Sequence, residues 1–235
     1  MSGPLEGIRI VDLTQVVSGP LATMLLADQG AEVVKVEPLG VGGDVTRLPS
    51  FAKAGISSLF VNNNRGKRSL AVDLTKEEGK QIVIDLVEQA DVFIQNFRPG
   101  AIERLGLSYD ELKAVNPNLI YCSISGFGPD GPYSDRPVLD PVIQGLTGMV
   151  SRQLNPQIPF PDLVRNLVAD KSTAFTSAQA ITAALFSRER TGEGQFLQIP
   201  MLDSCLYFFW VDGMMDLTML DEDVSPGITL AKVYN

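Results

Sequence analysis

Short apolar runs rich in Val and Ile alternate with helical patterns along this chain, and that alternation limits its fold more than any other feature. Six runs have the length of a strand: residues 8–13, 32–37, 69–74, 92–95, 119–124 and 195–199. Parallel strands that are covered on both faces are continuously apolar, and strands that alternate with helices are typical of βαβ units. The sequence therefore predicts an α/β fold with an open, mostly parallel sheet and helices on both faces.

The first strand-to-helix turn departs from the dinucleotide-binding pattern. The order of strand, helix and strand over residues 8–37 is Rossmann-like, but residues 14–20 (TQVVSGP) stand where the pyrophosphate loop would be. They lack the G-x-G-x-x-G arrangement that brings a backbone close to a pyrophosphate. We therefore expect neither a nicotinamide nor a flavin cofactor.

Charge and residue usage exclude several classes of function. A net charge of −9 argues against nucleic acid as a partner. The chain has no histidine, which removes Ser-His-Asp catalysis, Cys-His catalysis and histidine metal sites. Cys122 and Cys205 are far apart in apolar surroundings, so they predict neither a disulfide framework nor a metal site. We expect no bound metal and a reducing, cytoplasmic environment.

We expect no membrane association. Residues 1–6 lack the basic and apolar regions of a secretory signal. Residues 201–220 have membrane length but contain Asp203, Asp212 and Asp216, which would be costly in hydrocarbon. The segment predicts a buried or interface helix instead.

Two polar clusters flank predicted strands. Arg65, Lys67 and Arg68 precede the strand at residues 69–74 and predict either a solvated turn or an anion site near a strand end. Residues 96–98 (NFR) follow the strand at 92–95, and Arg104 lies just beyond. The carboxyl edge of such a sheet is where ligands bind.

The cluster at 96–98 has two interpretations. The cluster would form a site for an adenine nucleotide, because it offers a ring to stack on a purine, an amide to bond the purine edge and guanidinium groups to bind phosphate. Ordinary loop packing is the alternative.

Helix-start signals occur at three places. Residues 75–78 (TKEE) and 108–111 (SYDE) have the form of capping boxes. Asp170 precedes a helix rich in small residues, which we expect to run from Lys171 to about Arg190. From its position alone, Asp170 would be an N-cap.

Several stretches together resemble one family, the class III coenzyme A transferases. The matching features, which cover nearly the whole chain, are residues 10–13 with 18–20, 34–37, 64–70 with 73–74, 95–101, 125–133, Asp140 with Gln144, Asp170 before its helix, and 191–195. The family includes formyl-CoA transferases, carnitine and bile-acid CoA transferases, and α-methylacyl-CoA racemases.

The resemblance implies that coenzyme A or acyl-CoA is the substrate, that Asp170 is the nucleophile, and that Asp140 supports it. It also implies which residues hold coenzyme A: Val17, Ser18, Val72, Asp73, Leu74, Thr75, Asn96, Phe97, Arg98, Arg104 and Arg136. Pro38 departs from relatives that carry a CoA-contacting Arg, which leaves Arg47 or the cluster at 65–68 to replace it.

Leu139 separates the two activities of the family. Transferases commonly carry Tyr at this position. Racemases carry His there, paired with an Asp at position 170, because one face of the α-carbon is deprotonated and the other reprotonated. With Leu139 and no histidine, the chain favours transfer over racemisation; a non-catalytic CoA-binding protein is a further alternative.

The implied chemistry is covalent. We expect Asp170 to attack an acyl-CoA and form a mixed anhydride, and then an aspartyl-CoA thioester that passes coenzyme A to a carboxylic acid. The site must exclude water, and we expect backbone N–H groups at the helix start after Asp170 to stabilise the oxyanion.

Relatives are longer than this chain, have a second, smaller domain and form interlocked homodimers. We expect residues 1–200 to form the CoA-binding large domain that includes Asp170, and residues 201–235 to form a helix and the start of a linker towards a second domain that this chain lacks. By this resemblance the 235-residue form is a fragment, a split product or an inactive remnant.

Overall fold

The protein is known from a computed structural model that describes residues 3–48, 52–153, 157, 160, 162–215 and 217–219. Its strands are β1 (Arg9–Asp12), β2 (Glu32–Pro38), β3 (Ala52–Lys53), β4 (Ile56–Ser57), β5 (Arg68–Val72), β6 (Val92–Gln95), β7 (Ile120–Ser125) and β8 (Phe196–Pro200). Its α-helices are α1 (Ser18–Asp28), α2 (Ser58–Asn64), α3 (Glu77–Val87), α4 (Ala101–Arg104), α5 (Tyr109–Val115), α6 (Asp140–Leu146), α7 (Met149–Arg152), α8 (Val168–Thr191) and α9 (Met201–Gly213).

All six predicted strands form one parallel sheet in the order β5-β2-β1-β6-β7-β8. The strand order reverses between β1 and β6, because the chain adds strands first on one side of β1 and then on the other. Ligands of open α/β sheets bind in the crevice outside the carboxyl ends of the strands at such a switch point. The topology therefore directs attention to the loops that follow β1 and β6.

Helices cover both faces of the sheet, as the sequence predicts. Successive strand residues face opposite sides, so Ile10 belongs to one buried cluster and Val11 to another. The first cluster includes Leu26 of α1 and Ile181 of α8. The second includes Val83 of α3. The two clusters fix the sheet between layers of helices, and the α/β prediction is confirmed.

The connection between β2 and β5 contains structure that the sequence did not predict. A 3-10 turn spans Val45–Arg47, β3 and β4 form a hairpin, and α2 occupies a stretch rich in Asn that indicates a turn. The Ser57 hydroxyl caps α2 by accepting from the N–H of Phe60. Asparagine amides usually compete with a helix for backbone groups, but those of Asn63 and Asn64 donate to carbonyls one turn earlier.

The two predicted capping boxes have different outcomes. Ser108 and Glu111 form the predicted box at the start of α5. The prediction of a capping box at residues 75–78 is wrong, because the N-cap of α3 is Lys76, which makes no side-chain capping bond. Thr75 instead donates its backbone N–H and its hydroxyl to Asp73 Oδ1. The Thr75 hydroxyl therefore bonds an aspartate two residues earlier and does not cap the helix.

The C-terminal segment is described in part. Helix α9 ends at Gly213, and residues 220–235, where we expect a linker, lie outside the described residues. Within the described ranges, no helix combines the length and the apolar character needed to cross a bilayer.

Candidate active site

Asp170 lies inside the first turn of α8 and is not its N-cap. The helix begins at Val168, three residues before the predicted start, and Leu167 occupies the cap position without a side-chain bond. The N–H of Asp170 donates to Asp140 Oδ2 at 3.0 Å. A carboxylate from α6 thus caps this turn, so the side chain of Asp170 has no capping role.

Asp140 is fixed by a buried amide. Gln144 Nε2 donates to Asp140 Oδ1 at 2.5 Å, while Gln144 Oε1 accepts from the N–H of Val164 at 2.8 Å. Asp140 is 3% exposed and Gln144 is 1% exposed. These bonds join α6 to the segment that enters α8, and they hold Asp140 against the backbone of Asp170.

The surroundings of Asp170 disfavour its charge. Burial raises the pKa of this carboxyl group, and the negative charge of Asp140 raises it further, to about 6. The hydroxyl and the backbone N–H of Ser18 interact with the carboxylate and act in the opposite direction on the pKa. Among the described residues Asp170 forms no ion pair. The group is a partly desolvated carboxylate that remains largely ionised at neutral pH.

A cleft of about 270 Å³ opens at the carboxyl ends of β1, β6 and β7. Its wall consists of Val16, Ser18, Asn96, Phe97, Arg98, Pro99, Ile124, Ser125, Gly126, Ser134, Arg136, Pro137, Val138, Leu139 and Met201. An adjoining cavity of about 100 Å³ shares Phe97, Arg98, Pro99 and Ser125 with it. Ser18 contributes to the cleft and also interacts with Asp170, and it therefore connects the two.

The structure brings together some of the expected coenzyme A contacts and separates others. Ser18, Asn96, Phe97, Arg98 and Arg136 line the cleft, and Val17 is buried next to it. Two groups lie apart: Arg104 ends α4 and lines neither cavity, and Val72 ends β5, with Asp73, Leu74 and Thr75 directly after it. Three strand spacings of about 4.8 Å put β5 roughly 14 Å from β6 along the same edge.

The cations at the cleft differ from those at 65–68. Arg98 and Arg136 have no carboxylate partner within the described part of the chain, and the Arg136 guanidinium lies 4.5 Å from the centre of the Tyr133 ring. They are available for an anion.

The anion site expected at 65–68 is not supported. Arg65 pairs with Asp28, Lys67 with Asp12 and Arg68 with Glu32. In addition, the Arg68 guanidinium bonds Glu32, the first residue of β2, and is therefore directed towards the amino ends of the strands and away from the ligand crevice.

Arg47 does not stand free to replace the arginine that Pro38 lacks. Its guanidinium makes two hydrogen bonds to the carboxylate of Glu37 and lies 3.7 Å from the centre of the Phe60 ring. Because these partners hold Arg47, the described cations nearest the cleft remain Arg98 and Arg136.

Hydrogen bonds bear on two further expectations. The Asn96 amide accepts from the N–H of Gln15 at 2.9 Å and donates to its carbonyl at 2.8 Å, which fixes it to the loop after β1; a bond from Asn96 to the edge of a purine stays a prediction. The N–H of Lys171 donates to the carbonyl of Leu167 at 3.0 Å, as in any helix. The N–H groups after Asp170 are therefore not available as oxyanion donors, whereas the donors of Ser18 interact with the carboxylate.

Nearly the whole chain matches one known protein family. The model of CoA-transferase family III matches residues 5–231. This chain belongs to CoA-transferase family III. A probable fatty acyl-CoA transferase of Mycobacterium tuberculosis is 41% identical over 203 residues, which are 85% of this chain and 51% of that protein. A succinate–glutarate CoA-transferase of Agrobacterium fabrum is 43% identical over 207 residues, 85% of this chain and 51% of that protein.

Solved structures of the family have the same fold. The crystal structure of a CAIB/BAIF family protein from Brucella suis matches with a TM-score of 0.88 at 38% identity, and covers 96% of this chain and 60% of that one. The orthorhombic crystal structure of the Mycobacterium tuberculosis relative has a TM-score of 0.84 at 40% identity, and covers 92% and 60%. The chain spans about half the length of the curated relatives it matches.

Proposed function

We propose that the chain transfers coenzyme A from an acyl-CoA donor to a free carboxylic acid, with Asp170 as the covalent nucleophile. One observation carries the proposal: a partly buried carboxylate with a pKa of about 6 and no cationic partner among the described residues interacts with Ser18, which lines an open cleft at the switch point. Membership of CoA-transferase family III and relatives that are named CoA-transferases support it.

The reaction has four steps, and no redox partner is needed. An Asp170 oxygen attacks the thioester carbonyl, the carbon–sulfur bond breaks, and coenzyme A leaves as a thiolate from a mixed anhydride. The thiolate attacks the Asp170 carbonyl, releases the donor acid as a carboxylate and leaves an aspartyl-CoA thioester. The acceptor carboxylate attacks this thioester and expels the thiolate again. The thiolate then attacks the acceptor acyl group, which forms the new acyl-CoA and regenerates Asp170.

The surroundings of Asp170 suit this chemistry. A carboxylate is a weak nucleophile in water, and partial removal of its hydration raises its reactivity. Each covalent intermediate hydrolyses easily, so the same exclusion of water protects it. The hydroxyl and N–H of Ser18 would donate to the oxyanion that develops as the carbonyl of the Asp170 adduct is attacked.

The cleft suits the nucleotide end of coenzyme A. We assign phosphate binding to Arg98 and Arg136, which have no carboxylate partner in the described ranges, and stacking on the adenine to Phe97. Residues 72–75 and Arg104 would contact parts of the ligand farther along the sheet edge.

Two alternatives make different predictions. A racemase of this family would exchange the α-proton of a 2-methylacyl-CoA with solvent deuterium, but Leu139 supplies no proton carrier and the chain has no histidine. A CoA-binding protein without catalysis would bind coenzyme A in a titration but exchange none of it between acids.

A panel of acyl-CoA donors and acids, read by mass spectrometry, tests the proposal. Succinyl-CoA with glutarate and acetyl-CoA with oxalate belong in it, because relatives are named for those acids. We expect Asp170→Ala to lower exchange by about 10³-fold or more. Asp203→Ala is the matched control, because Asp203 is also the third residue of its helix but is exposed. Exchange that survives Asp170→Ala would contradict the assignment of the nucleophile.

We also propose that the protein works as a homodimer in the cytoplasm. The family resemblance supports the dimer, and the buried, unpaired Cys122 and Cys205 suit a reducing compartment. Light scattering after size exclusion should give twice the mass of the chain; a monomer with full exchange activity would contradict the dimer.

A further inference from the structure

We propose that Asn96 is a positioning residue, which clamps the β1–α1 loop so that Ser18 is held against Asp170. The inference rests on the proposed role of Asp170 and adds to it a residue that lines the same cleft as Ser18. It is an alternative to the expectation that the Asn96 amide binds the nucleotide.

The clamp joins the two loops at the switch point. Asn96 follows the last residue of β6, and Gln15 lies in the loop after β1. The amide of Asn96 makes both hydrogen bonds that a neighbouring strand would make to the backbone of Gln15, at 2.9 Å and 2.8 Å. The pairing of β1 with β6 is thereby continued by a side chain beyond the point where the sheet ends.

A buried lysine holds the residue before Gln15 from the other side. Lys35 of β2 is 1% exposed, and its Nζ donates to the carbonyl of Thr14 at 2.6 Å. The same Nζ lies 2.9 Å from Asp44 Oδ2, an ion pair from which solvent is excluded. The loop is therefore fixed at adjacent residues, by β2 at Thr14 and by Asn96 at Gln15.

The loop needs such support because its next residue is strained. Val16 has a φ of 71°, in the left-handed region that a β-branched residue rarely adopts. Such a conformation is unfavourable and persists only where the surroundings impose it. Val16 is also part of the cleft wall, so the strain is located at the site.

The constraint is passed on to Ser18 by close packing. Gly19 follows Ser18 in α1, and a Cβ at position 19 would lie 2.3 Å from the Cβ of Thr14, so the start of α1 sits directly on the clamped loop. Helices α1 and α8 pack against each other, and the donors of Ser18 interact with Asp170 across that contact. Release of Gln15 should therefore move Ser18 away from the carboxylate.

A change in the pKa of Asp170 would report this movement. Ser18 lowers that pKa, so loss of its donors should raise it. Among the described residues, the other titratable groups at Asp170 are Asp140 from α6 and, beside Asp140, Cys205 from α9, while Arg98 and Arg136 line the cleft that Ser18 also lines. Asn96→Ala alters none of these groups, which leaves Ser18 as the cause of a shift.

The experiment compares Asn96→Ala with Asn116→Ala. Asn116 is a matched control, because its amide also bonds only backbone groups, but at the opposite edge of the sheet. It donates to the carbonyls of Val87 and Ala90 and accepts from the N–H of Asn118. The carboxyl pKa of Asp170 is measured by carbon-13 NMR titration, assigned with Asp170→Asn. Hydrogen exchange of residues 14–18 and the pH profile of kcat are measured on the same proteins.

For Asn96→Ala we expect the pKa of Asp170 to rise by about half a unit to one unit. We also expect the amide hydrogens of residues 14–18 to exchange faster with solvent. We expect kcat at pH 7 to fall about 10-fold while the KM for acyl-CoA changes less than about 3-fold. Asn116→Ala should change none of these. Asn96→Ser, a milder variant, should show the same direction if Asn96→Ala does not fold.

An increase in KM with unchanged pKa and kcat would overturn the proposal and make Asn96 a ligand of coenzyme A. Equal changes in Asn96→Ala and Asn116→Ala would overturn it in favour of a general structural role. If the unmodified chain exchanged no coenzyme A between acids, only the proposed function would be contradicted. The NMR titration of Asp170 and the amide hydrogen exchange of residues 14–18 would still test the clamp.

Discussion

Asp170 should lower the stability of the folded chain at neutral pH. Its pKa is about 6 in the folded protein against an ordinary value of 3.8, so its charged form is disfavoured by folding. For an acid whose pKa is raised on folding, this penalty is full above pH 6 and is removed as the pH falls from 6 towards 4. The contribution of this residue to stability therefore increases on acidification, opposite to the usual behaviour of a paired carboxylate.

Asp170→Asn tests this sign. Because the amide carries no charge, we expect the free energy of unfolding in urea at pH 7.5 to rise by about 1–3 kcal/mol, and the gain to vanish near pH 4. Asp203→Asn, at the same position of α9 but with an exposed side chain, should give no comparable gain. A loss of stability in Asp170→Asn at pH 7.5 would contradict the account of its surroundings.

Sequence pattern and hydrogen-bond competition explain which helix starts were predictable. At α5 the nearest acceptor and donor are the partners that the pattern names, and Ser108 and Glu111 form the box. At α3 the hydroxyl of Thr75 has a nearer acceptor in Asp73. At α8 the acceptor is Asp140, which lies 30 residues away. A local pattern cannot reveal a partner that only tertiary structure supplies.

Ser108→Ala and Thr75→Ala provide a direct comparison of the two boxes. We expect Ser108→Ala to lower the free energy of unfolding by about 1 kcal/mol, because it removes a real cap, and Thr75→Ala to cost less than half of that. Chemical denaturation of both variants measures the difference. Equal losses would mean that the hydroxyl of Thr75 supports α3 after all.

Ion pairs between residues far apart in the chain also determine the role of the basic cluster at 65–68. Arg65, Lys67 and Arg68 are adjacent in sequence, which favours a common role, but their partners are 37, 55 and 36 residues away. Burial would raise the pKa of Asp12, but the charges of Lys67 and Lys35 and the hydrogen bonds from Thr14 and Thr23 together hold that pKa below its ordinary value. Lys67 thus joins the loop before β5 to the centre of the sheet.

Removal of this lysine should affect the fold far more than removal of its neighbour. We expect Lys67→Met to lower the free energy of unfolding by about 3–5 kcal/mol, because Asp12 is left charged and buried. Arg65→Met, which breaks an exposed pair, should cost at most about 1 kcal/mol. Urea unfolding of the two variants checks the contrast, and similar losses would contradict a buried role for Lys67.

The sequence predicts the six strands and the α/β class because both follow from local apolar periodicity. It predicts neither the strand order nor the contact between Ser18 and Asp170, since these depend on residues far apart in the chain. Asp170 was identified by family resemblance, and by position alone it would have been an N-cap. The clamp by Asn96 left no sequence signal, because an amide bonded to backbone can follow a strand without any motif.

Trapping of the covalent intermediate is the sharpest test of Asp170 as the nucleophile. The chain is incubated with an acyl-CoA, treated with hydroxylamine, digested and analysed by mass spectrometry. Hydroxylamine converts an aspartyl anhydride or thioester into a hydroxamate, and the account predicts that hydroxamate on Asp170 and its absence in Asp170→Asn. A hydroxamate on another carboxylate such as Asp140, or coenzyme A exchange without modification of Asp170, would contradict it.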